Sequence, residues 1–336
     1  MVQAVKFTVI LLLLFLCCLG GRLGLERLAS PATTVTPPDK LRVVSLAPSI
    51  TETLFAVGLG PNVVGVTRFC TYPPEVSPLP KVAGFSELNV EALLRIRPGL
   101  VVIPEDKVWN KIQLERLGIP TLGVEVRSLA GLVQGIQRLG ALAGNPEPAE
   151  KLLTEIEKEM TAAKEKSLGK PRPGVLFSVM RSAQGAGRIN EISAIGRDGF
   201  YDELIELAGG RNVYEGKIAY PRLSQEAIIY LNPDVIIDVV PSGLSREEVA
   251  ALGREWSGLS TVNAVKNGRV FILNDEMHTV PGPRFTKTLN ILSCILHSPV
   301  VPAVLPGQAW REPECPDKIM PENPGAYSPE RAVINE

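Results

Sequence analysis

The sequence predicts an α/β fold of two similar lobes joined by a single long rigid helix. Three observations carry that expectation. The segment "NVEALLRIRPGLVVI" (residues 89–103) returns 135 residues later as "SQEAIIYLNPDVIID" (224–238), a short helix stopped by proline and followed by an aliphatic strand. On both sides of the midpoint, short apolar runs alternate with helical patterns, the signature of a sheet with helical connections. Between the two halves lies one uninterrupted amphipathic stretch, residues 145–170.

The N-terminal lobe spans 41–144. Its first strand is "RVVSL". Next comes "SITETLFAVGLG", in which Ser49 and Glu52 stand in capping-box spacing and Gly58 or Gly60 ends the helix. "VVGV" (63–66) and "LVVI" (100–103) are further strands, the helix around 89–97 stopping at Pro98. A helix near 107–117, the strand "TLGV" (121–124) and a helix near 128–143 complete the lobe.

The linking helix takes its start from Pro146 and Pro148. It places Leu152, Leu153, Ile156 and Met160 on one stripe, with acidic residues early and lysines late, which complements the helix dipole. From 146 to 167 it would extend about 33 Å at about 1.5 Å per residue. The C-terminal lobe, 171–298, follows. "VLFSV" (175–179), "VIIDVV" (235–240) and "VFIL" (270–273) are strands. "GFYDELIELAGG", "SQEAIIYL", a segment near 245–254 and a last segment after "PGPR" to about His297 are helices. A second internal match, "LFAVGLGPNVVG" (54–65) against "LIELAGGRNVYEG" (204–216), occurs in the same order as the first.

The ends differ from this pattern. In residues 1–24 one lysine precedes the apolar run Phe7 to Leu19, the layout of a signal peptide; the run is short of the roughly 20 residues of a spanning helix. Cys17 and Cys18 offer a lipid attachment point, but Leu16 is bulky where a lipoprotein signal carries a small residue. A cleaved leader, a lipid and an uncleaved anchor all fit. Residues 25–40 form a Pro/Thr-rich linker, and 299–336, with eight prolines, read as an irregular tail.

Composition narrows the function. The chain of 336 residues has a net charge of −1 and no basic stripe, which excludes a nucleic-acid footprint. Cys70, Cys294 and Cys315 are odd in number and form no CxxC pair, so no disulfide framework follows. There is no GxSxG, no Walker loop and no HExxH, and "GLGPNVVG" runs from helix to strand, the reverse of a dinucleotide loop. His278 and His297 are the only histidines, too few for a multi-histidine zinc or manganese site. Glu52, Glu276, His278 and Cys70 are the only pieces for acid–base or nucleophilic chemistry, and no spacing forces them together.

Three segments read as cleft lining because they follow strands, where open α/β sheets bind ligands. Pro48 and Ser49 stand at a strand-to-helix turn; Phe69, Cys70 and Tyr72 follow "VVGV"; Glu276, His278 and Arg284 follow "VFIL". Taken singly, each aromatic also fits a core position.

"RVVSLAPSITETLFAVGLGPNVVGVT", "YPPE", "NVEALLRIRPGLVVI", "IAYPRLSQEAIIYLNPDVIID" and "PGPR" resemble the helical-backbone (class III) periplasmic binding proteins of ABC importers, the receptors for vitamin B12, iron siderophores and haem. The vitamin B12-binding branch is the most similar. The resemblance covers about 41–298 and implies two Rossmann-like lobes with a ligand cleft between them. It implies a small-molecule ligand, a corrinoid such as vitamin B12 or cobinamide, with a siderophore or haem as the alternative. It also implies no enzyme activity and no intrinsic cofactor, the metal arriving within the ligand. The partner would be a permease dimer with its ATPase subunits, and the location the periplasm or the outer face of the cell membrane. A sensor or an enzyme on the same scaffold is the alternative from another class. By motif, Glu91 and Glu226 fall where the family docks its permease, and Phe69, Phe85 and Tyr220 where the B12 receptor packs its ligand. Two departures stand out: Phe85 and Tyr220 replace tryptophans, and the loop at 276–280 carries Met277 and His278. Cys70 or His278 would be the axial donor to a ligand-borne cobalt or iron.

Overall fold

The computed structural model describes residues 41–84, 87–181, 187–197 and 199–297. The leader, the linker, Phe85 and the Pro-rich tail lie outside these residues.

The first lobe is a five-stranded parallel sheet in the order β3-β2-β1-β4-β5. Its strands are β1 (Val43–Ser45), β2 (Val63–Thr67), β3 (Lys81–Ala83), β4 (Leu100–Pro104) and β5 (Thr121–Val124). Its helices are α1 (Pro48–Ala56), α2 (Val90–Ile96), α3 (Val108–Arg116) and α4 (Leu129–Ala143). The strands are aliphatic runs buried along most of their length, as strands with helices on both faces must be.

The second lobe has β6 (Gly174–Arg181), β7 (Glu191–Ala194), β8 (Arg211–Asn212), β9 (Arg222–Ser224), β10 (Val235–Val239) and β11 (Val270–Leu273). The sheet order is β11-β10-β6-β7-β9, with β8 also on β6. Its helices are α6 (Phe200–Leu207), α7 (Gln225–Leu231), α8 (Arg246–Glu255), the single turn α9 (Asn263–Lys266) and α10 (Phe285–His297). β6 pairs in parallel with β8 and β10, as β1 does with β2 and β4. The lobes therefore share one parallel ladder. The second adds an antiparallel excursion, β7, between β6 and β9.

The repeat extends to single dihedral angles. α2 and α7 are both seven residues long and are capped by the side chains of Asn89 and Ser224. They end on Arg97 and Asn232, at φ 52° and 42°, the two non-glycine residues with positive φ among the described residues. Each precedes a proline, whose ring disfavours the right-handed helical conformation in the residue before it.

Between the lobes runs α5 (Glu147–Ser167), 21 residues and about 32 Å long. Ala149, Ile156 and Ala163 recur every seventh residue and are its buried stripe. They join an apolar core that includes residues of both lobes, Leu54 and Ile136 from the first and Phe177 and Leu292 from the second. α5 packs on α4 and α10 together. The backbone helix is thus set into a shared core and is not an exposed tether.

One local expectation is overturned. Ser49 and Glu52 form no capping box: the residue before α1 is Ala47, with no side-chain cap, and Ser49 lies within the helix. Pro48 opens α1 with no amide hydrogen to satisfy, which leaves Glu52 available for another partner.

Candidate functional site

The site lies where the carboxyl ends of both sheets meet. α1 starts just after β1, and its Glu52 is buried, 5% exposed, with its carboxylate toward the second lobe. Arg284 comes from the turn before α10 and forks onto it: Nε donates to Oε2 at 3.0 Å and Nη2 to Oε1 at 2.6 Å. The guanidinium also lies over the Tyr72 ring, 3.9 Å from its centre. Burial raises the Glu52 carboxyl above its ordinary value, against the pull of Arg284. Gly282 makes the approach possible, since a Cβ there would stand 3.2 Å from Ser49 Cα and 3.1 Å from Glu52 Oε2.

Three aromatic side chains expected at the site are exposed. Phe69 and Tyr72 leave the first lobe after β2, 45% and 43% exposed, and Tyr220 leaves the second lobe before β9, 57% exposed beside Ile218. Arg68 places its guanidinium 5.0 Å from the centre of the Phe69 ring. Tyr220 faces the other lobe: partial burial raises its phenol, Arg127 lowers it and Asp106 raises it. Leu129 N, at the start of α4, donates to Glu203 Oε2 of α6 at 2.9 Å, a second polar contact across the lobes.

Arg127 and Asp106 were not among the residues singled out from the sequence. Both follow strands of the first lobe, β5 and β4, so the rule that found Phe69 and Tyr72 applies to them equally.

The two candidate metal donors are corrected. Cys70 is 2% exposed and belongs to the core; the Thr51 hydroxyl contacts its sulfur at 3.1 Å and the Thr67 hydroxyl at the same distance. His278 is 4% exposed, with Nδ1 2.9 Å from the Thr288 hydroxyl, and its imidazole is pushed down to about 4, first by burial. Both lie beneath the cleft surface. Among the described residues no group of three or more His, Cys, Asp or Glu could hold a metal ion. Glu276 is exposed on a short turn whose amide donates to the Ser242 hydroxyl at 2.8 Å. Pro48 is half-buried and Ser49 buried, so backbone and helix start line the site there. Phe85 falls outside the described residues. His297 bonds the Ala208 carbonyl at 2.7 Å, a structural role.

Glu91 and Glu226 stand in the first turns of α2 and α7, both exposed. No helix among the described residues is long and apolar enough to cross a membrane.

Two α/β lobes on one shared helix are the architecture of a two-lobed binding protein. The periplasmic binding protein family model matches residues 43–277, and the chain belongs to that family. It is 30% identical, over 79% of its length and 82% of the relative, to an uncharacterized ABC transporter substrate-binding lipoprotein of Bacillus subtilis, YvrC. The fold is that of the periplasmic vitamin B12 binding protein BtuF of Vibrio cholerae, with a TM-score of 0.65 and 23% identity over 76% of this chain and 96% of that one. It is also similar to the periplasmic heme-binding protein RhuT from Roseiflexus sp. RS-1, with a TM-score of 0.63 and 29% identity over 77% and 98%.

Proposed function

We propose that this protein works outside the cytoplasm, captures a corrinoid (vitamin B12 or cobinamide) between its lobes and delivers it to an ABC importer. The reading is supported by three exposed aromatic side chains, Phe69 and Tyr72 from one lobe and Tyr220 from the other, with Tyr72 against Arg284 of the second lobe and Tyr220 facing Arg127 and Asp106 of the first. Flat apolar rings suit the faces of a large macrocycle, and few polar groups are needed beyond those for its edge. The chemistry is binding alone; no bond is made or broken. The relatives named as vitamin B12-binding proteins support the ligand class, and the lipoprotein relative supports an extracytoplasmic location. Glu91 and Glu226 then serve as the permease contacts, one carboxylate on each lobe for a two-fold partner.

Haem is the second reading, favoured by Tyr72. Its ring is exposed with Arg284 against it, and a tyrosine oxygen is a known axial donor to haem iron. Absorbance titration of the purified protein with cyanocobalamin, cobinamide, haemin and a ferric siderophore separates the readings. Saturable micromolar binding of a corrinoid supports the first. Binding of haemin alone, lost in Tyr72→Phe, replaces it with the second.

A further inference from the structure

Glu91 and Glu226 occupy equivalent positions, but their neighbours one turn on differ. Three residues further along, both helices expose an aliphatic side chain, Leu94 at 48% and Ile229 at 44%. At the next position α2 carries Arg95 and α7 carries Tyr230. Arg95 donates to Glu91 Oε1 at 2.7 Å, the favoured order for an acid and a base four residues apart. Arg116 adds a second cation on that side, lining one groove with Val90, Trp109 and Ile112.

Glu226 has no such partner: among the described residues no cation forms an ion pair with it, and Tyr230 beside it is 88% exposed. Arg222, four residues before it, is turned onto Glu191, Nε donating at 2.7 Å. The Ser224 hydroxyl and its own backbone amide hold the Glu226 carboxyl below the usual range, so it is fully ionised at neutral pH. The first lobe therefore offers a carboxylate already matched by its own cation, and the second a carboxylate with no cation beside it, on the helix that exposes Ile229 and Tyr230.

We infer that the two ends dock unequally, Glu226 being the charge-dependent anchor and Glu91 a contact muted by Arg95. This inference rests on the proposed role of the protein as the receptor of an ABC importer. A permease dimer built of like subunits presents like cations to both ends. A free carboxylate meets such a cation at once, whereas Glu91 must first exchange Arg95 for it, which for an exposed pair four residues apart weakens its contribution about twofold.

The test is binding of the full-length protein to its cognate permease–ATPase complex in nanodiscs, by biolayer interferometry. Wild type is compared with Glu91→Gln, Glu226→Gln, the double variant, and both single variants in an Arg95→Gln background. All these side chains are exposed, and unchanged thermal melts show that each variant is folded. The expected result is about a tenfold loss for Glu226→Gln and about half that, roughly fivefold, for Glu91→Gln. In the Arg95→Gln background the Glu91→Gln loss rises to about that of Glu226→Gln. Equal losses for the two single variants with Arg95 intact, or a larger loss for Glu91→Gln, overturn the inequality while keeping the docking role. A double variant that binds as wild type overturns the docking role itself, and the inference with it.

Discussion

Arg284 and Glu52, 232 residues apart in the chain, form a two-pronged ion pair across the two lobes at the floor of the cleft. The pair joins α1 of one lobe to the turn before α10 of the other. Together with the core around α5 it ties the lobes together near the base.

Removing one partner should therefore cost more than removing both. Arg284→Ala leaves the Glu52 carboxylate buried and unmatched. A fully buried pair would lose about 3–5 kcal/mol on this change, and because the Arg284 side chain keeps 21% exposure, about 2–3 kcal/mol is expected. The double variant Glu52→Gln, Arg284→Met should lose less. Urea unfolding of the two variants measures this; equal losses would mean that the pair is not coupled.

His278 gives the fold an acid-sensitive element. It sits against Thr288; burial opposes its charged form most, Asp275 favours it, and Arg284 and Lys287 oppose it. Its folded value of about 4 lies below the ordinary 6.5, so the folded state holds fewer protons than the unfolded one between these values. Its contribution is complete above about pH 6.5 and is lost as pH falls toward 4, up to about 3 kcal/mol. Glu52, with its value raised, works in the opposite direction. The difference between wild type and His278→Gln in unfolding free energy, measured from pH 7 to pH 4, isolates the histidine. A parallel pair of curves would contradict the assignment.

The elements legible in the sequence were those with strong local signals. α5 begins and ends within a residue of the expected 146–167, because its prolines and charge order act locally. β3, β7, β8 and β9 were not foreseen: they are two to four residues long and include exposed polar positions, such as Lys81 and Arg222, so their pairing is decided by neighbours far away in sequence. Ser49 and Glu52 show the same limit in the site. Their spacing is that of a cap, but the distant Arg284 decides where the carboxylate goes. Phe69 and Cys70 are adjacent after one strand, and position alone marked both as cleft residues. Only the turn of the backbone sends Phe69 outward and the Cys70 sulfur into the core.

The second lobe holds a buried charge cluster whose removal should be severe. Arg181 donates through Nε to Asp238 at 2.9 Å, through Nη1 to Glu255 at 2.6 Å, and through both Nη atoms to the Leu252 carbonyl at 3.1 Å. Trp256 Nε1 adds a bond to Asp238 at 2.8 Å. All three charged side chains are at most 3% exposed. Arg181→Met would leave two buried carboxylates facing each other, with an expected loss of about 3–5 kcal/mol. Circular dichroism during urea unfolding should show it, and a loss under about 1 kcal/mol would mean that the cluster is compensated elsewhere.

The three exposed aromatic side chains lead to the last expectation, on ligand binding. If the guest is a flat macrocycle held by stacking, each ring contributes separately and the contributions multiply. Phe69→Ala and Tyr220→Ala should each weaken corrinoid binding about two- to tenfold, the range of roughly 0.5–1.5 kcal/mol for one aromatic contact. Because the rings belong to different lobes, the double variant should show close to the product of the two effects. Tyr72→Phe should leave corrinoid affinity nearly unchanged, since the ring and its contact with Arg284 are kept. Absorbance titration reads all four variants. Unaltered affinity in both Phe69→Ala and Tyr220→Ala would place the guest away from these side chains, whatever its identity.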